Sequence, residues 1–297
     1  MTAIGIVSPG AMGSAVGAAY ARAGNRVVAT VAGRSQRTAG LAREAGLELV
    51  PDLDGVVDTA DVVVSIVPPG EATITAEAIA AAARRTGAAP LVADWNAVSP
   101  ATVRSICDAL AEDGLDFVDG SISGGPPRPG STTRVYVSGA RADELAAAAP
   151  PEVDVRVVGG DIGVASAVKM CTAAMYKGST ALLAHSLLTA RANGVLEHVL
   201  DDLQSSFARE LERAGRSLAV SATKAERFVG EMHEIAATQA AAGLTPAVFD
   251  GFAEAYAGIA ASSAAQETPE SVPATPMLDD VLERLAPSSG VDAGERT

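Results

Sequence analysis

Over the first 160 or so residues, short runs of Val, Ile and Ala alternate with longer Ala-rich stretches of helical periodicity, and no other feature restricts the fold as much. The strand candidates are residues 3–7, 26–31, 61–67, 90–94, 116–118, 133–138 and 153–158. Helical stretches fall between the early ones, at 11–23, 36–45, 71–85 and 100–112. Strands that are apolar at consecutive positions are covered on both faces, and strands joined through crossover helices run parallel. The implied architecture is α/β, a doubly wound and mostly parallel sheet.

From Asp161 onward no further strand pattern appears, and helical stretches follow at 164–192, 196–214, 221–242 and 246–261. Thr245 stands where an N-cap belongs, with Pro246 in the first turn. The end of the chain, "QETPESVPATP" and "APSSGVDAGERT", is Pro-, Ser- and acid-rich around one amphipathic piece at 277–285. The expected organisation is a dinucleotide-binding domain over 1–160, an all-α domain over 161–264, and a loosely attached tail over 265–297. A chain of 297 residues, 48% hydrophobic, can bury two such cores.

Charge narrows the partners. A formal net charge of -14, without clustered Lys and Arg, argues against nucleic acid. No spacing of His, Cys and acids suggests a metal site, and no segment suggests a membrane span. Cys107 and Cys171 are isolated in apolar helical contexts, which predicts two buried free thiols in a reducing compartment. The apolar run at the N-terminus has no basic segment before it and is broken by Ser8, Pro9 and Gly10, so a cytoplasmic protein is expected.

The first strand runs into "GIVSPGAMG", a Rossmann-like glycine turn in which Ser8 stands at the first glycine of G-x-G-x-x-G. In that fingerprint the first glycine makes the turn, the second admits a pyrophosphate to the backbone and the third lets the helix approach the strand. Gly10 and Gly13 keep the second and third roles. Ser8 is tolerated if its φ stays negative, and the turn from Ser8 through Ala11 and Met12 to Gly13 then presents helix amides to the pyrophosphate. At the end of the second strand, "ATVAGRSQRT" has no carboxylate for a ribose 2′-hydroxyl. Arg34 can instead fork onto a 2′-phosphate, with Ser35 and Arg37 as further donors, which favours NADP(H) over NAD(H).

Four ordered motifs, "GIVSPGAMG", "DWNAVSP", "DGSISGGPPRPGS" and "GDIGVASAVKM", make the chain resemble the β-hydroxyacid dehydrogenase superfamily over about 260 residues. That superfamily includes the 6-phosphogluconate and 3-hydroxyisobutyrate dehydrogenases. The helical half, with "RFVGEMHEIAATQAAAGLTP", is most similar to a bacterial branch whose C-terminal domain has no assigned function. The resemblance implies that Val67 and Pro68 line the cofactor, and that Asn96 faces the nicotinamide ribose or the substrate.

Lys169 and Lys177 are the only fixed charges on an otherwise apolar helical stretch over 163–188. Burial disfavours an ammonium and draws a lysine toward service as a general acid or base. Lys169 also matches the superfamily's catalytic lysine. Better-known members place an Asn one turn later to hold substrate, whereas this chain has Ala173. Either Tyr176 or Lys177 takes over that contact, or the substrate is larger and held differently. Ser123, Gly124 and Gly125 follow the strand at 116–118, where their amides and the serine hydroxyl can receive a substrate carboxylate. His185, His198, His233 and Arg128 are assigned no chemistry.

The combined expectation is an NADP(H)-dependent oxidoreductase acting on a small hydroxy or keto acid, with Lys169 moving the proton. The apolar stretch from Val164 calls for neighbours on several sides, which predicts a homodimer. Two alternatives stay open. One is an imine reductase, although that group generally lacks this lysine and the Ser-Gly-Gly motif. The other is a non-catalytic NADP(H)-binding protein, which Ala173 keeps in play.

Overall fold

The structure, a computed structural model, describes residues 2–286. It divides into two compact units that meet in sequence between Cys171 and Thr172. The first contains β1 (Ala3–Val7), α1 (Ala11–Arg22), β2 (Arg26–Ala29), α2 (Gln36–Glu44), β3 (Glu48–Leu49), α3 (Leu53–Thr59), β4 (Val62–Ser65) and α4 (Ala72–Thr86). It continues with β5 (Leu91–Asp94), α5 (Pro100–Ala111), β6 (Phe117–Ser123), β7 (Thr133–Ser138), α6 (Ala142–Ala147), β8 (Val153–Gly159) and the first turns of α7 (Val164–Ala192). The eight strands lie in the order β3-β2-β1-β4-β5-β6-β7-β8. All pairs are parallel except β6 with β7.

The doubly wound sheet is thus as the alternation implies. The Val and Ile runs are buried on both faces. Ile4, Ile6, Val64 and Trp95 pack with Val16 and Tyr20 of α1 on one side. Val28, Val63 and Val92 pack with Val56, Ile79, Ile106 and Leu110 on the other. Trimming a fully buried side chain such as Ile106 to Ala removes both transfer energy and packing, about 2–5 kcal/mol. The strand order reverses between β1 and β4, so the carboxyl ends of β1, β4 and β5 border the crevice where such sheets take ligands.

Three short elements, β3, α3 and α6, lack a periodicity long enough to register in the sequence. Asp52, whose carboxylate accepts the Gly55 amide at 3.0 Å, is the one cue to α3. Strand β6 runs through Ser123 rather than ending at residue 118, because its second half forms a hairpin with β7, pairing Ser123 with Arg134. The first unit also extends past residue 160, since the start of α7 is bound to β6 and β7, as described below. The thiols depart from expectation: Cys107 is half-buried and Cys171 exposed.

The second unit holds the rest of α7, then α8 (Leu196–Ala222), α9 (Ala225–Ala241), α10 (Ala247–Ala260) and α11 (Leu278–Leu285). Helices α9 and α10 pack with the rings of Phe228 and Tyr256 edge to face, centroids 5.2 Å apart. The expected loose tail is packed as far as residue 286. Val281, Leu282 and Leu285 of α11 are buried, because the amphipathic piece has an apolar face to cover. Residues 287–297 of that tail lie outside the described residues. No helix among the described residues is long and apolar enough to cross a membrane.

Candidate active site

The β1–α1 turn is built around a left-handed residue. Ser8 has φ +65°, and among the described residues it is the only non-glycine with positive φ. The expectation of a negative φ is therefore wrong. The Ser8 carbonyl accepts the Gly10 amide at 2.8 Å, closing a three-residue turn centred on Pro9. For an L-residue the left-handed conformation of Ser8 costs roughly 1–2 kcal/mol. A Cβ on Gly13 would lie 2.5 Å from the Ser8 carbonyl oxygen, so Gly13 is required for α1 to approach the turn. A Cβ on Gly10 would meet nothing within 4 Å.

Gly10 is the N-cap of α1 and supplies no side-chain cap. The ladder begins with the Ser14 amide donating to the Gly10 carbonyl at 2.8 Å, which leaves the amides of Ala11, Met12 and Gly13 ahead of it, pointing out of the helix end. An open glycine face beside uncapped helix amides suits the pyrophosphate of a dinucleotide.

At the end of β2, Ser35 caps α2 by accepting the Thr38 amide at 3.2 Å. The Arg34 guanidinium stands one residue before it, a third exposed, and lies 3.6 Å from the Glu71 carboxylate. The loop thus presents a cation at a helix N-terminus, as expected, though with a carboxylate beside it that the sequence did not disclose.

Asn96 is 3% exposed. Its Oδ1 accepts the Val67 amide at 2.6 Å, while Nδ2 donates to Asp94 Oδ2 at 2.6 Å and to Ser65 Oγ at 3.2 Å. This corrects the reading that Asn96 faces a ligand: it ties the end of β4 to the end of β5. Val67 is likewise turned inward, packed in the core on the α4 side, and Pro68 is the exposed residue of that loop. Asp94 is buried and also accepts the Asn96 amide at 2.9 Å. Burial pushes its carboxyl up to about 7; the Asn96 donors oppose the shift, and Asp119, its register partner on β6, adds to it.

The start of α7 is bolted to the sheet by polar groups on β6 and β7. Asp119, fully buried, accepts the Gly163 amide at 2.9 Å, the Ser166 amide at 3.2 Å, the Ser166 hydroxyl at 2.7 Å and the Ser138 hydroxyl at 3.0 Å. A carboxylate there satisfies amides that the helix leaves unpaired and complements its dipole. Ser121 Oγ donates to the Ala165 carbonyl at 2.9 Å. Alternation along β6 turns Asp119, Ser121 and Ser123 to one face, which α7 crosses. One turn further along α7, Lys169 Nζ donates to the Ile122 carbonyl at 2.8 Å.

Lys169 is therefore half-buried against the residue preceding Ser123. Gly124, with φ +129°, ends the strand, and Gly124 and Gly125 are exposed with nothing within 4 Å of a Cβ built on either. Lys169 thus reaches the residue next to the Ser123, Gly124 and Gly125 turn. The polar residues that hold them, Asp119, Ser121, Ser138 and Ser166, escaped the sequence reading; their signal was polarity inside otherwise apolar strand and helix segments.

Tyr176 and Lys177 do not join that group. Tyr176 is 73% exposed. Lys177 forms an ion pair with Glu231 of α9, and its ammonium lies 4.3 Å from the centre of the Phe228 ring. Glu231 is buried and also accepts from Arg227 at 3.2 Å. Lys177 thus serves the helical core. Ala173 is buried. Among the described residues no group of His, Cys, Asp and Glu is placed to hold a metal.

Comparison with solved structures gives the same architecture. A conserved hypothetical protein from Sinorhizobium meliloti is 26% identical, with 96% of each chain covered and a TM-score of 0.64. A 3-hydroxyisobutyrate dehydrogenase from Mycobacterium tuberculosis is 20% identical over 96% of this chain and 99% of its own, with a TM-score of 0.68. An imine reductase variant from Myxococcus stipitatus, in complex with NAD+, is 17% identical over 96% and 99%, with a TM-score of 0.55. The last two share the fold. Residues 190–259 match a domain of unknown function, and residues 3–151 match the NAD binding domain of 6-phosphogluconate dehydrogenase. By its glycine turn, its strand order and that match over half its length, the chain belongs to the 6-phosphogluconate dehydrogenase NAD-binding family.

Proposed function

We propose that this protein is an NADP(H)-dependent oxidoreductase that interconverts a small hydroxy acid and its keto acid, with Lys169 as general acid and base. One observation carries the reading: a half-buried lysine, anchored on the Ile122 carbonyl, adjoins a Ser-Gly-Gly turn whose two glycines are exposed at the carboxyl end of a dinucleotide-binding sheet. The bound nicotinamide supplies or removes the hydride.

The chain's own residues supply position and proton control. The turn from Ser8 to Gly13 receives the pyrophosphate, and Arg34, with the Ser35 hydroxyl, receives the 2′-phosphate. Asn96 fixes the Val67–Pro68 loop and so shapes the nicotinamide pocket from behind. Ser123 and the amides of Gly124 and Gly125 hold the substrate carboxylate. Lys169 gives its proton to the keto oxygen in reduction and takes it from the hydroxyl in oxidation. The Ile122 carbonyl keeps the amine aimed through either step. The working assembly is a homodimer formed through the helical unit.

A panel of 3-hydroxy acids, 2-hydroxy acids, keto acids and cyclic imines, followed by cofactor absorbance, tests the reaction class. Lys169→Ala should lower turnover by about 10²–10⁴-fold while NADPH binding persists. Near-full activity in that variant would remove Lys169 from the mechanism. Turnover of cyclic imines alone would favour an imine reductase, and NADPH binding without any turnover would favour the non-catalytic reading that the buried Ala173 supports.

A further inference from the structure

Four buried polar residues stand side by side across the sheet: Ser65 on β4, Asp94 on β5, Asp119 on β6 and Ser138 on β7, each the register partner of the next. A buried carboxylate is a poor stabiliser, because the cost of drying it offsets what its partners return, and an apolar row would hold the strands as well. What polar groups add in such a place is fixed geometry. Asn96 bonds Ser65 and Asp94 and so fixes the Val67 loop. The other half of the row, Asp119 with Ser138, fixes the start of α7.

All four contacts of Asp119 come from donors, and three of them meet at Oδ2: the Gly163 amide, the Ser166 amide and the Ser138 hydroxyl. The Ser138 oxygen in turn accepts the Ala165 amide at 3.1 Å. Asp119 thus sets the Gly163 and Ser166 amides directly and the Ala165 amide through Ser138. These amides precede the helix's own ladder, which starts with the Ala167 amide on the Gly163 carbonyl at 2.9 Å. One turn on, Lys169 reaches back to the Ile122 carbonyl. Strand β6 therefore grips α7 twice, through the carboxylate of Asp119 and through the carbonyl three residues later. A flexible lysine chain is aimed only as well as its backbone is placed.

We propose that Asp119 is a positioning residue, which aims the Lys169 amine by holding the first turn of α7 on β6. This rests on the assignment of Lys169 as general acid and base. Geometry rather than charge carries the effect: an asparagine oxygen in place of Oδ2 can accept the same three donors, while its amide donates to Ser166 Oγ. Two other ties, Ser121 Oγ on the Ala165 carbonyl and Arg104 Nε on the Ile162 carbonyl at 3.2 Å, survive the loss of Asp119, so α7 shifts without detaching.

The chain has only three lysines, Lys169, Lys177 and Lys224. Their acylation by N-hydroxysuccinimidyl acetate can be followed peptide by peptide in the cofactor-free full chain, with Lys177 and Lys224 as internal references. Asp119→Ala should raise the Lys169 rate at least about 10-fold over the references, the size of one lost charge-assisted hydrogen bond, and Asp119→Asn should leave it within about 3-fold. An unchanged Lys169 rate in Asp119→Ala, or an Asn variant as reactive as the Ala variant, would overturn the proposal. If Asp119→Ala fails to fold, Ser138→Ala, which strips the Ala165 amide of its acceptor, takes its place: the same selective rise is expected, and its absence overturns the role equally. On the substrate found with the panel of acids and imines, Asp119→Ala should lower kcat by about 10–100-fold with KM within about 3-fold. It should lower kcat no further once Lys169 is alanine, and additive losses would overturn the positioning role. Near-full activity of Lys169→Ala would remove the general acid and base while leaving the acylation result standing, so the two readings fail separately.

Discussion

The side-chain oxygen of Asn96 lies 2.6 Å from the Val67 amide nitrogen, holding a loop on β4 from a residue just past β5. Removing it leaves the buried Val67 amide without its partner and takes one of two donors from the Asp94 carboxyl, which keeps the amide of residue 96. Asn96→Ala should cost about 1–3 kcal/mol for the orphaned amide, measured by urea denaturation, and should weaken cofactor binding as the loop relaxes. An unchanged midpoint would mean that water replaces the amide.

Asp94, the partner of Asn96, gives the protein a pH signature. Its folded pKa, near 7, lies above the roughly 3.9 of an unfolded aspartate, so the folded state binds the proton more tightly. The associated stability is fully present below about pH 4 and is lost as pH rises through 7. Asp94→Asn should flatten that window. Denaturation midpoints across pH 4 to 8, compared between the two proteins, check the sign.

Gly10 and Gly13 should respond in opposite ways to the same added methyl. Gly10 has φ -70° and open space around it, so Gly10→Ala should leave stability equal or raise it by up to about 1 kcal/mol, while weakening cofactor binding. Gly13→Ala forces a carbon onto the Ser8 carbonyl and should cost about 1–3 kcal/mol. Thermal melts with and without cofactor separate the two effects. Equal loss of stability in both would contradict the open face at Gly10.

For the cofactor, NADPH should bind tighter than NADH by roughly 10–100-fold, the range of charge-assisted hydrogen bonds. Arg34→Ala should erase the difference. Glu71→Gln, which frees the guanidinium from an exposed carboxylate, should raise NADPH affinity modestly, and less so at high salt. Titration calorimetry at two ionic strengths decides it, and equal affinities in the unmodified protein would sink the assignment.

Lys177→Ala should act on stability. It strands the buried Glu231 carboxylate with Arg227 alone and should cost about 3–5 kcal/mol, whereas Lys177→Met with Glu231→Leu should recover much of the loss. Calorimetric melting of the single and double variants measures it. A destabilisation below about 1 kcal/mol in the single variant would show that the pair is solvated.

Legibility in the sequence followed the range of the interactions involved. The sheet and the glycine turn were readable because strands, crossover helices and the Gly13 contact are set by neighbours close along the chain. The partial burial of Lys169 was readable because a charge on an apolar helix needs a special setting. The backbone basin of Ser8 was not, since it depends on where α1 must land. Lys177 was misplaced because its partner, Glu231, stands on a different helix and no local pattern announces it. Asn96 matched a ligand-facing position, yet the bonds it makes to Val67, Asp94 and Ser65 are visible only once three loops are folded together.

Trp95 packs so tightly on β6 that a Cβ on Gly120 would lie 2.3 Å from its ring. It is the chain's single tryptophan, 2% exposed, and clusters with Ile122, whose carbonyl receives Lys169. Nature has thereby installed one optical reporter beneath the amine's anchorage. Its emission maximum and quenching read the integrity of that floor without a label, free of any competing indole.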